Sequence, residues 1–206
     1  MREMKLLGMS ILVLCVFSVG CQSTANVRLG DLDEPSRPVN MEITMLSKAL
    51  DVRKNPSDRI GKHTISIFMI PGGNVNAKGK HLDEAIGEHC RTALEKAGYT
   101  VNLADYVDDV EGPVLTVQVD LLRNYTFTWF YPFGLLFGKM KLSVSLVDAK
   151  SGVLWSSDVK SAGGFMPSMF YICGFGTAVK SEVTGSINNL VDVCTSDEFV
   201  SVLKGQ

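Results

Sequence analysis

Cys21 is the residue whose neighbours point most directly to chemistry. Arg2 and Lys5 precede an apolar run from Leu6 to Val19, and Ser18-Val19-Gly20 places small or short side chains just ahead of the cysteine. That is the order of an export signal. The run is too short for a spanning helix, which takes ~20 residues. Residues 1 to 20 are therefore expected to be a signal peptide removed by cleavage between Gly20 and Cys21. A cysteine at the cut accepts a thioether-linked diacylglycerol, and its new amine accepts a further acyl chain such as palmitate. With ~0.8 kcal/mol per buried methylene, two or three chains hold a protein on a bilayer effectively permanently. Ser18 stands where lipoprotein precursors usually carry Leu, and Ser18 with Gly20 also fits the rule for ordinary signal peptidase. A secreted protein starting at the same cysteine is the alternative. Gln22, in place of an Asp that would favour inner-membrane retention, points to the outer membrane, facing the periplasm.

Catalytic chemistry has few candidates. The histidines are His63, His81 and His89; the last two, eight apart on one predicted helix, lie roughly 80° apart around its axis and chelate poorly. Cys90 beside His89 points elsewhere on the helix, so no thiolate-imidazole pair forms locally. Asp105, Asp108, Asp109 and Glu111 lack the glycine and closing glutamate of a calcium loop and read as a solvated acidic loop. We expect no enzymatic activity, no cofactor and no metal. Once Cys15 leaves with the leader and Cys21 is acylated, Cys90, Cys173 and Cys194 remain. Cys90 and Cys194 fall on apolar helix faces, either bridged in an oxidising compartment or packed as two buried thiols.

Two aromatic and Met-rich stretches stand apart, within 125–138 and 163–175. The first carries Trp129, Phe130, Tyr131, Phe133, Leu135, Leu136 and Phe137, the second Met166, Met169 and Phe170. Both are expected in connections that can meet at one edge of the sheet. There they either form a surface for a partner or lipid or close the core where the helices leave the sheet uncovered; Phe127, Trp129 and Tyr131 alternate as a strand would.

The elements that must position these residues follow from periodicity. Residues 21–40 read as a lipidated flexible tether, and 41–206 as one globular domain. Strands are expected at 41–50, 63–70, 99–103, 114–121, 140–146 and 153–159, with Pro71-Gly72-Gly73-Asn74 as a turn and 148–152 as a hairpin turn. In 114–121, Leu115, Val117, Val119 and Leu121 share one face. Leu82, Ile86, Cys90, Ala93, Leu94 and Ala97 recur near 3.6, ahead of a capping Gly98. Val179, Val183, Ile187, Leu190, Val191 and Cys194 mark a second helix, about 177–194, and Ser196 opens a short third. The fold expected is α+β: a mostly antiparallel sheet with two amphipathic helices on one face. A net charge of −2 without a basic run argues against nucleic-acid binding.

The segments Ala49-Leu50-Asp51-Val52-Arg53, Leu94-Glu95-Lys96-Ala97-Gly98-Tyr99 and Leu190-Val191-Asp192, together with Cys21, resemble the YajG-type family of small bacterial lipoproteins. The aromatic stretch at 125–138 departs from that pattern. The resemblance implies a lipid-anchored envelope protein of two-layer fold, and the layout is similar to lipoproteins that serve as accessory subunits of envelope machines. The partners expected are the bilayer, through Cys21, and an envelope protein. The alternatives are an oligomer that inserts the aromatic connections into the membrane and a carrier of a small apolar ligand; the oligomeric state stays open.

Overall fold

The first long helix shows how closely local pattern and structure agree. Helix α1 (Leu82–Lys96) has Asp83 and Glu84 in its first turn and Lys96 in its last, matching the helix dipole. It stops where Gly98 adopts φ +95°, a conformation that other residues resist. Leu82, Ile86, Cys90, Ala93, Leu94 and Ala97 are all buried.

The computed structural model describes residues 23–35, 38–54, 58–65, 70–130, 133–168 and 171–205. The chain runs β1 (Ser23–Ala25), β2 (Met41–Leu46), β3 (Leu50–Asp51), β4 (Arg59–Ile65), β5 (Ile70–Ala77), α1, β6 (Tyr99–Ala104), a 3-10 turn (Val107–Asp109), β7 (Val114–Phe130), β8 (Phe133–Asp148), β9 (Gly152–Ser168), α2 (Tyr171–Cys194) and α3 (Asp197–Lys204). This is an α+β fold with a mixed sheet. The long pairings, β7 with β8 and β8 with β9, are antiparallel. Shorter parallel pairings join β2 to β6 and set β2, β3 and β4 in turn along the other edge of β7. Helix α2 lies over β8 and β9 and also touches α1. Val179, Val183, Ile187, Leu190, Val191 and Cys194 are buried beneath it, and Phe199 of α3 meets Trp155 edge to face at 4.8 Å.

Several expectations need correction. The strand expected at 63–70 is two strands: β4 ends at Ile65 and β5 begins at Ile70, so Pro71 to Asn74 lie inside β5. A register shift between His63 and Thr64 accommodates them, since proline is tolerated at bulges. Alternation in β7 also breaks. A bulge between Val119 and Leu121 moves Leu122 to the buried face, opposite Met140, and leaves Leu121 opposite Lys141. Strands β7, β8 and β9 run well beyond their expected ends, and α2 begins at Tyr171.

The stretch expected as a loose tether is docked from Ser23 onward. β1 pairs with β5, Val27, Leu29 and Leu32 pack against the core, and Thr184 Oγ1 accepts from Gly30 N at 2.7 Å. Asn188 Nδ2 donates to Asp33 Oδ2 at 2.6 Å. Gly20 and Cys21 lie outside the described residues.

Helix α3 offers a local test. Ser196 Oγ accepts from Phe199 N at 3.3 Å and donates to Val193 O at 2.7 Å. Ser196→Ala should cost about 1 kcal/mol, read as a lowered midpoint in urea with an unchanged slope.

Candidate functional site

Among the described residues the first aromatic stretch is strand, and the second is strand to Ser168 and helix from Tyr171. Phe127 pairs with Leu135, Thr128 with Gly134 and Phe130 with Phe133 across β7 and β8, while Leu135 pairs with Pro167 and Leu136 with Met166 across β8 and β9. The two stretches therefore do meet, at one end of a three-stranded antiparallel unit. Trp129 lies in β7 beside the turn. Tyr131, Met169 and Phe170 lie outside the described residues. At the base of the hairpin the rings of Tyr125 and Phe137 stand 5.9 Å apart, with Phe137 43% exposed. At 17 residues, β7 spans ~55 Å, whereas the six residues of β2 meet it only near Val114 and Leu115. The far half of the hairpin thus extends past the part of the sheet formed by β2 and β6.

Beneath the hairpin end the polar face carries charge. Lys141 Nζ lies 3.3 Å from Asp120 Oδ2 and 3.0 Å from Asp158 Oδ2. Ser143 Oγ and Gln118 Nε2 lie 2.6 and 2.7 Å from Asp120 oxygens. Burial opposes the charge on Asp120, but these hydrogen bonds outweigh it and hold the carboxyl below its usual range. Arg123 pairs across the strands with Lys139, and Lys62 of β4 pairs with Tyr125. A notch of about 340 Å³ opens here, where the edge of β7 passes from β3 to β4, and its rim includes Arg53, Lys54, Arg59, Lys62 and Arg123. Arg53, Lys54, Arg59 and Lys62 lie within ten residues of one another in the sequence, and the fold brings Arg123 to them.

On the buried face of the same strands sits a carboxyl that no sequence pattern marks. Glu182 of α2 is 1% exposed and Asn124 of β7 2% exposed. Among the described residues neither carboxyl oxygen of Glu182 has a hydrogen-bond partner, nor does Asn124 Oδ1; Asn124 Nδ2 donates to Ile60 O at 3.1 Å. The niche exists because β8 has Gly138 there: a Cβ at that position would collide with Glu182 Oε1 and Asn124 Oδ1. Burial pushes the Glu182 carboxyl up to about 8. A proton on Glu182 would turn one of two facing acceptors into a donor toward Asn124 Oδ1.

The remaining candidates stay apart. His81 Nδ1 pairs with Asp58 at 3.1 Å, a hydrogen bond that raises its pKa, while half-buried His89 donates from Nε2 to Val27 O at 3.1 Å. Asp105 accepts from Ser47 Oγ. Among the described residues no cluster is suited to hold a metal ion. Cys90 and Cys194 are buried free thiols, so the bridge between them is not formed. Burial pushes the Cys90 thiol up to about 12, and burial with the nearby Cys90 raises Cys194 as well. Among the described residues no helix is long and apolar enough to cross a membrane.

No protein-family model matches this chain, and no curated protein sequence matches it. Its fold is similar to that of protein XCC0632 from Xanthomonas campestris, of family DUF330, with a TM-score of 0.56 and 12% identity over 89% of this chain and 98% of that one. A dodecameric PelC from Paraburkholderia phytofirmans aligns over 83% of this chain and 95% of its own at 12% identity, with a TM-score of 0.37. A superposition that loose carries no argument. What the likeness to the Xanthomonas protein establishes is the two-layer fold.

Proposed function

We propose that this protein is a membrane-anchored envelope lipoprotein, acylated at Cys21, that serves as a binding or accessory subunit of an envelope assembly and works through the end of its β7–β8–β9 hairpins. One observation carries the reading. β1 is parallel to β5, β5 antiparallel to β4, and β4 parallel to β7. The chain therefore enters β1 from the same end of the sheet at which β7 turns into β8. Ser23 lies level with Val75 and Gly61, near the base of the hairpin end, and Cys21 precedes it by two residues. An acyl anchor there holds the hairpin end toward the bilayer, and residues 125–130 carry it roughly 20 Å further.

A protein partner is favoured over bare lipid. The outer edge of β9 carries no strand among the described residues. An unpaired strand edge is not tolerated in hydrocarbon, but it pairs readily with another chain. A photo-crosslinker at Phe133 in the membrane-bound protein should yield a discrete protein adduct, identified by mass. Lipid adducts alone would replace this reading with membrane insertion, and only intrachain adducts would refute both. Cys21→Ser should release the protein from salt-washed membranes.

A further inference from the structure

The notch beside β7 is built to take negative charge. Between Val119, which pairs with Asp51, and Tyr125, which pairs with Lys62, no strand among the described residues covers this edge of β7. Backbone as well as side chains thus faces the opening. One wall is rigid: Arg53 donates from Nε and Nη2 to both oxygens of Asp51, at 2.7 and 2.6 Å, and from Nη1 to the carbonyl of Arg59 at 2.7 Å. The one acid on the rim, Asp120, is engaged by Lys141, Ser143 and Gln118. Lys54, Lys62 and Arg123 have no acidic partner among the described residues. A chain of net charge −2 thus gathers uncompensated positive charge around one concavity, whose volume of about 340 Å³ lies in the small-ligand range.

We propose that this notch is a subsite for a phosphate-type oxyanion, supplied by the headgroup of an anionic phospholipid. The position argues for a lipid. Lys62, Tyr125 and Phe137 are register neighbours across three strands, and Arg123 and Lys139 form the next cross-strand pair on the same face. A head seated among the cations leaves its apolar part beside the exposed Phe137 ring, toward the hairpin end. The lipid source rests on the membrane-facing reading above; the oxyanion site does not.

The test is calorimetric titration of the detergent-purified, acylated protein with two probes, dihexanoyl phosphatidic acid and inorganic phosphate. Each cation near an anionic surface contributes about fivefold. Lys62→Ala with Arg123→Ala should therefore weaken binding of the phosphatidic acid by roughly ten- to thirtyfold. Lys150→Ala with Lys204→Ala, the same change of charge elsewhere, should leave it unchanged. Both Lys62 and Arg123 are exposed, so the variant should melt like the parent. Inorganic phosphate bound as tightly as the lipid analogue would overturn the lipid source and support a site for free phosphate. Equal weakening in both double variants, no saturable binding of either probe, or displacement by an acidic peptide better than by phosphate would overturn the proposal. The Phe133 adduct should persist in Lys62→Ala with Arg123→Ala, so failure here is separable from failure of the accessory-subunit reading.

Discussion

Gly138→Ala is expected to destabilise the domain by roughly 3 kcal/mol or more, because the added methyl has no room that is not already filled by polar atoms. Its Cβ would overlap Glu182 Oε1 and Asn124 Oδ1, and neither group can swing away to solvent. Glu182 is on the buried side of α2, and the amide of Asn124 is tied to Ile60 O. The methyl must therefore push α2 off the sheet or drive a carboxyl into apolar neighbours. Denaturant unfolding would show it, and the double variant Gly138→Ala with Glu182→Ala supplies the control. Removing the carboxyl should recover much of the loss, making the pair strongly non-additive. A Gly138→Ala protein within 1 kcal/mol of the parent would mean that Glu182 does not seat over Gly138.

The second large effect is a loss of stability with rising pH that belongs to Glu182 alone. Its pKa is about 8 in the folded protein against 4.5 for the free side chain, so the native state holds the proton more tightly than the unfolded chain does. The contribution is complete below about pH 4.5 and is lost progressively as pH rises toward 8, amounting to roughly 4–5 kcal/mol over that window. Glu182→Gln should abolish that slope, leaving the variant more stable than the parent at pH 8 and no more stable at pH 4. The comparison isolates Glu182 from His81 and His89, which both proteins share. Parallel pH profiles for the two would show that Glu182 is charged, or solvated, in the native state.

What could be read from the sequence was the local periodicity. Ile86, Leu94, Val183 and Ile187 recur at helical spacing and are buried, and Gly98 caps where a left-handed residue is needed, because these patterns express contacts within one element. The bulge at Asp120 was not legible: an extra residue flips every later side chain, yet nothing distinguishes Leu121 from Leu122 except which of them meets Met140. Pro132 and Gly134 interrupt the alternation that runs through Phe127 and Trp129, so the sequence pattern there does not distinguish a hairpin from a loop. Both polar sites depend on long-range pairing. Lys62 joins Arg123 only because β4 lies along β7, and Glu182 needs an adjacent glycine that sits 44 positions earlier in another strand. A lone acid next to the apolar stripe of α2 looks like any residue at the border of a solvated helix face.

The order in which strands attach to β7 governs how such a chain can fold when it emerges amino terminus first. Among the described residues one half-sheet, β1–β5–β4, and another, β2–β6, share no ladder with each other; β7 is the strand that joins them. Both halves are complete in the first 104 residues, so each waits with an open edge until the joining strand has emerged. Open edges of that kind recruit other chains. A chain emerging amino terminus first therefore leaves β2 and β4 open until residue 130 has appeared, and the vulnerable interval lengthens with slower emergence rather than with weaker native stability.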